Sequence, residues 1–188
     1  MLRGGKKIAG AERVVKSILT PFNHIDQKNC MLPFTFLTNG GGIPEAEKAQ
    51  SIANIVFENN EKDYTEIPKE KTIMCHTPFS QPSMVEKYKD SFVLVTGLGR
   101  MVEIADDHYG FNKAIEIEEL WSLFPESCPS ISSDIYLNTD NSHRDMVKDK
   151  LMKRFGKKGY SSVEKLKADL KFDAIFLLSD AVNLEMNI

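Results

Sequence analysis

The sequence predicts an α/β protein with a mostly parallel sheet. Short apolar runs such as MLPFTFL (residues 31–37), SFVLVTGLG (91–99) and FDAIFLLSD (172–180) alternate with stretches of helical spacing. That alternation is the pattern of strand–helix–strand units. The runs are continuously apolar rather than alternating, which suits strands buried on both faces. Each run also stops abruptly at turn residues. In open α/β sheets ligands bind outside the carboxyl ends of the strands, so those turns are where a site is expected.

Taken in order, Val14, Val15, Ile18 and Leu19 recur at helical spacing and predict a helix over 11–19, ended by Pro21. Residues 31–37 predict a strand, with Pro33 at its start because proline cannot donate to a ladder. Pro44 suits the first turn of a following helix, with Ala46, Ala49, Ile52, Ala53 and Val56 as its apolar stripe. Residues 59–71 are polar and read as a connection, followed by a short strand in TIMCHTPF (72–79). The run 91–99 is the strongest strand, followed by a helix over 101–108 and a short apolar stretch at 114–117. Residues 125–141 are rich in Ser, Pro, Asp and Asn and predict irregular structure. Helices are expected over 143–154 and 162–170, the second with a serine N-cap, and a last buried strand over 172–180.

Composition narrows the function. A net charge of −3 with both signs interspersed gives no basic face of the kind nucleic-acid binding needs. No apolar run approaches the ~20 residues that span a bilayer, so no membrane span is expected. Lys6, Lys7, Arg13 and Lys16 make the N-terminus basic, but it lacks both a signal-peptide apolar region and a clear arginine-rich face, so no presequence is read in it. Cys30, Cys75 and Cys128 are far apart and form no CxxC pair; Cys30 and Cys75 are expected to be buried free thiols.

The most suggestive stretch is FLTNGGGIPEAEKAQSI (36–52), where a strand ends in Thr38 and Asn39 and three glycines, Gly40 to Gly42, precede a helix. Backbone N–H groups without flanking Cβ atoms can approach an anion closely, and the helix start adds a positive end. The Thr38 hydroxyl can donate once more. A phosphate cradle and a plain left-handed turn both fit these residues. Gly97-x-Gly99 repeats the strand–turn–helix logic, but the third glycine of a dinucleotide fingerprint is missing, and a tight turn accounts for it better. His76, beside Thr77 and Pro78 at a strand end, is the one histidine placed as in a site; a structural or supporting role is expected. Asp106 and Asp107 are expected on a solvated helix face. Ser179, Asp180 and Glu185 could imitate an acidic metal loop. Trp121 and the phenylalanines are expected to fill the core.

The segments RGGKKIAGA (3–11), FTFLTNGGG (34–42) and CHTPF (75–79) together resemble the haloacid dehalogenase-like (HAD) superfamily, class IIA, of the cat-eye-syndrome critical-region type. VLVTGLG and KFDAIFLLSD are similar to strands of that family's cap. The resemblance implies a partial Rossmann-like core over residues 1–90 carrying the second motif, and part of an inserted α/β cap over 91–188. It implies Mg²⁺-dependent phosphoester hydrolysis through an aspartyl-phosphate, with a small phosphorylated molecule as substrate. On it Thr38 matches the residue that binds the substrate phosphate, and Asn39 and Gly40 match its neighbours. It also implies a mitochondrial location, in keeping with the hydrolase and phosphatidyl-synthase-like names of fungal members; a cytoplasmic one is the alternative.

The family's Asp-x-Asp-Gly motif stands just before the segment matched by LRGG, and its lysine and metal-binding aspartates follow the cap. The resemblance therefore implies that residues 1–188 carry no catalytic residue and no metal ligand of their own, with Mg²⁺ expected for the full-length family and not for this piece. An inactive fragment of an enzyme is one expectation. A non-catalytic homologue that binds a ligand or partner is the other, with a nucleotide-binding module using Gly97 and Gly99 a third.

Overall fold

The computed structural model describes residues 2–3, 6–24, 27–38, 41–57, 65–127 and 141–179. The protein is mixed α/β, with two parallel sheets and helices packed on them. Two small antiparallel hairpins come early: β1 (Leu2–Arg3) with β2 (Lys6–Lys7), and β3 (Phe22–His24) with β4 (Gln27–Cys30). Between them lies α1 (Ala11–Leu19), as its apolar spacing predicts. The first parallel pair is β5 (Phe36–Thr38) with β6 (Thr72–Met74), in register Leu37 with Ile73. Helix α2 (Glu45–Phe57) connects them and covers one face. Val15 of α1, Ala49, Ile52, Ala53, Val56 and Phe57 of α2, and Ile67 form the core beneath this pair.

The second sheet has the order β8–β7–β9, with β7 (Phe92–Thr96) parallel to both β8 (Lys113–Glu116) and β9 (Phe172–Leu177). Helices cover both its faces. On one, α3 (Pro82–Tyr88) and α4 (Met101–Glu103), which continues as a π-helical turn over Ile104–His108, pack on Val93, Val95 and Phe176. On the other, α5 (Ile117–Leu123), α6 (Asn141–Gly156) and α7 (Val163–Asp169) enclose Phe92, Ile115, Leu151, Phe155 and Leu166. The central β7 is buried from Phe92 to Val95, which is why its sequence is apolar at every position.

Several elements differ from expectation. The strand at residues 31–37 begins only at Phe36, and it is not buried on both faces: Leu37 is 81% exposed beside Ile73. The two strands bury Phe36, Thr72 and Met74 toward α2 and leave the other face open. Likewise β9 buries Phe176, while Ile175 and Leu177 are each 62% exposed. Helix α5 begins in a capping box, in which Glu116 and Glu119 satisfy each other's backbone N–H groups. Ser162 caps α7 by accepting the Lys165 N–H at 3.3 Å, as expected. Cys30 and Cys75 are thiols as expected, but half-buried rather than buried. Phe57, Phe111 and Phe155 do fill cores; Trp121 is only half-buried. Most of the stretch 125–141, with Cys128, lies outside the described residues.

Two substitutions test this layout. Leu151→Ala, in the fully buried cluster under α6, should cost about 2–5 kcal/mol in urea unfolding, whereas Leu37→Ser on the open face should change stability by less than ~0.5 kcal/mol. Thr72 Oγ1 is buried and, among the described residues, has no hydrogen-bond partner. Thr72→Val replaces that hydroxyl by a methyl of similar size and should therefore raise stability, by about 1 kcal/mol.

Candidate functional site

The carboxyl ends of β5, β6, β7 and β9 converge. After β5 the chain turns through Gly41 and Gly42; after β7 it turns through Gly97 and Gly99. These two turns pack directly on each other. Gly42 (φ +89°) and Gly99 (φ +93°) both take the left-handed conformation, and a Cβ on Gly99 would lie 2.4 Å from the Gly42 Cα. The Arg100 N–H donates to the Gly42 carbonyl across the junction at 3.0 Å. Ser179, just after β9, closes the cluster from above. Its Oγ accepts the Leu98 N–H at 2.7 Å, and a Cβ on Gly41 would overlap the Ser179 Cβ. Cys75 donates its thiol to the Leu178 carbonyl at 3.1 Å.

This geometry separates the members of the glycine triplet. Gly41 and Gly42 are glycine because other backbone and side-chain atoms occupy the space where a Cβ would sit. Gly97 and Gly99 form a tight turn, in agreement with the sequence reading. Thr38 stands half-buried at the end of β5, in register with Met74. Asn39 and Gly40 lie outside the described residues, as do Asp180 and Glu185.

His76 sits just below this junction and is fully buried. Its Nε2 lies 3.2 Å from the carbonyl oxygen of Ile43, on the loop that leads from the glycines into α2. Its Nδ1 lies 2.6 Å from the Tyr109 hydroxyl, which in turn lies 2.5 Å from Oε1 of Glu45. Thr77 donates to the same carboxylate oxygen at 2.8 Å while accepting the Met74 N–H at 2.9 Å. Burial alone would raise the Glu45 carboxyl, but the Tyr109 and Thr77 hydroxyls and nearby His76 bring it below its ordinary value. Burial beside that carboxylate pushes the Tyr109 phenol far above its ordinary value. Burial disfavours the His76 imidazolium, with Glu45 and the Ile43 carbonyl pulling the other way. Sequence reading singled out His76 but missed Glu45 and Tyr109. Tyr109 reaches the cluster because the helix after β7 widens into a π turn, in which the Tyr109 N–H bonds the Ile104 carbonyl.

The same π turn corrects the reading of Asp106. It is not on a solvated face: Lys158 and Arg154 both pair with its carboxylate, the latter at 3.4 Å. Arg154 also forks onto the buried Glu119 at 2.6 and 2.8 Å. An open cleft of about 730 Å³ runs alongside, lined by Arg100, Glu103, Asp107, Glu118, Lys150 and Lys153 among others. Charged residues of both signs line it, so the lining does not favour one ligand charge. His143 is bound to Glu118, in the first turn of α5, at 2.8 Å. Among the described residues, no group of three or more His, Cys, Asp or Glu side chains could hold a metal ion. Nor is any described helix long and apolar enough to cross a membrane.

The fold and this junction define an α/β protein with a loop cluster at the carboxyl ends of its parallel strands. No family model matches the chain. A stretch of 115 residues, 61% of the chain, is 30% identical to a Schizosaccharomyces pombe protein named cardiolipin synthase (CMP-forming) / mitochondrial hydrolase fusion protein. The match covers 16% of that protein's length. The chain thus has a distant relative with a mitochondrial hydrolase part.

The glycine junction makes a graded prediction. Gly99→Ala meets both a left-handed backbone, worth about 1–2 kcal/mol, and the Gly42 backbone, and should destabilise by more than ~2 kcal/mol in thermal or urea unfolding. Gly10 also has positive φ, +81°, but open space around its Cβ position. Gly10→Ala should therefore cost only the conformational part, about 1–2 kcal/mol.

Proposed function

We propose that residues 1–188 form the phosphate-binding part of a HAD-like, class IIA phosphohydrolase. The carrying observation is the position of Thr38: a hydroxyl residue at the carboxyl end of a parallel strand, followed by a glycine loop and the start of α2. That is where α/β proteins bind ligands, and helix starts favour anions. The sequence resemblance and the mitochondrial hydrolase part named in the distant relative support the same reading. In it, the Thr38 hydroxyl and the backbone of Asn39 and Gly40 hold a phosphate ester of a small molecule. Residues 1–90 belong to the core and 91–188 to the cap, and the protein works in mitochondria. His76 supports the loop through the Ile43 carbonyl without touching the phosphate.

The chemistry such hydrolases perform needs a carboxylate nucleophile and charge neutralisation by Mg²⁺. The described residues do not gather a metal-binding set, so no step here runs through the ion. These residues bind and orient. A second reading, a non-catalytic ligand- or partner-binding homologue, is favoured by Gly41 and Gly42, whose open sides are filled by Ser179, Leu98 and Gly99 rather than turned to a ligand.

Binding of inorganic phosphate and of a simple phosphoester to the 188-residue chain, measured by calorimetry and ³¹P NMR, tests the proposal. Thr38→Val keeps side-chain volume and removes one donor to an anionic oxygen, a bond worth about 1.5–3 kcal/mol. Affinity should fall roughly tenfold to a hundredfold while the fold stays intact. Phosphate binding that is unchanged in Thr38→Val would overturn the site.

A further inference from the structure

The Glu45–Tyr109–His76 chain can be counted proton by proton. A carbonyl only accepts, so the 3.2 Å contact to Ile43 requires a proton on His76 Nε2. Thr77 accepts from the Met74 N–H, which leaves its own hydrogen for Glu45. Two contacts remain, Nδ1 to the Tyr109 oxygen at 2.6 Å and that oxygen to Glu45 Oε1 at 2.5 Å. Each needs a proton between its heavy atoms, and the phenol supplies one. The second must sit either on Nδ1, giving an imidazolium and a carboxylate, or on Oε1, giving a neutral imidazole and a carboxylic acid. Nδ1 and Oε1 are 3.6 Å apart on either side of the same hydroxyl.

We propose that His76 and Glu45 share a single dissociable proton through Tyr109, and that this proton fastens the glycine loop after β5 to the turn after the π helix. Losing it to solvent leaves a neutral Nε2–H imidazole and a carboxylate with one phenolic hydrogen between them. Tyr109 then stays on the carboxylate, the stronger acceptor. Nδ1 faces an oxygen lone pair, the ring swings away, and the Ile43 carbonyl loses its donor. Two further titratable groups bear on the cluster: His108, which disfavours a charge on His76, and Cys75, beside His76 in sequence, whose charge would disfavour ionisation of Tyr109. Nothing in this switch depends on whether Thr38 meets a phosphate.

The test is an NMR titration of the whole chain between about pH 4.5 and 8.5, following the His76 ring nitrogens, the Glu45 carboxyl carbon and the amides of Gly41, Gly42 and Ile43. The expected result is one common midpoint for all three reporters. In Tyr109→Phe the bridge is gone, and the His76 and Glu45 midpoints should separate by a pH unit or more, about tenfold in proton affinity. Should that variant fail to fold, Glu45→Gln serves instead. Its amide can donate to the Tyr109 oxygen, so the chain is complete with a neutral His76, whose midpoint should drop by at least about one unit. Separate midpoints for His76 and Glu45 in the wild-type chain would overturn the proposal. So would a His76 midpoint unmoved by Glu45→Gln.

Discussion

The contact on which the structure turns is backbone against backbone, where the glycine loop after β5 meets the glycine loop after β7. Among the described residues the two parallel sheets share no strand, since β5–β6 and β8–β7–β9 are separate ladders. Side chains at this meeting point would hold the loops apart by the width of a Cβ, and Gly42 and Gly99 remove that width. Close approach then allows the Arg100 N–H to reach the Gly42 carbonyl. Ser179 brings the end of β9 into the same contact. Around this point the polar groups are arranged as reinforcements. Arg100 pairs with Glu47 on α2, and Tyr109 reaches across to Glu45 at the start of the same helix.

On the far side of the β7 sheet a different device works. Arg154 of α6 carries a bidentate contact to Glu119, which also completes the cap of α5. A buried carboxylate is costly unless paired, and removing either partner leaves an uncompensated charge. Burial and the neighbouring Glu119 raise the Glu116 carboxyl, which sits at the N-cap of α5. The helices on that face are thus located by charge as well as by the Phe92, Phe155 and Tyr160 ring cluster.

Much of this architecture was legible in the sequence because it obeys local rules. The apolar spacing of α1 and α2, the unbroken run of β7 and the serine cap of α7 each carry a short-range physical signal. Helices α3 and α5 did not stand out, since seven residues are too few for a clear apolar period. The Glu116 and Glu119 pair was the available clue to α5, though glutamate is an uncommon N-cap. The open faces of β5 and β9 were misread because apolar residues announce a strand but not what lies over it. At the site, His76 was visible as a histidine at a strand end. Its partners were not, because Glu45 and Tyr109 lie 31 and 33 positions away, and only the tertiary fold brings them together. Gly41 and Gly42 were read with Gly40 as one unit, while their roles depend on Ser179 and Leu98, which are remote in sequence.

The π turn at Ile104–His108 has an evolutionary consequence. An extra residue within one helical turn lets the same short segment face two ways: Asp106 meets Arg154 and Lys158, and Tyr109 meets Glu45 and His76. A single-residue deletion there would remove the residue that the wider turn accommodates and return the segment to regular α-helical winding, so that it could no longer face both ways. One of the two sets of partners would lose its contact. Insertions and deletions are usually tolerated between elements and excluded from their interiors. Here the length of one turn sets two groups of contacts at once, so a change of length would be felt by both where a substitution would touch one.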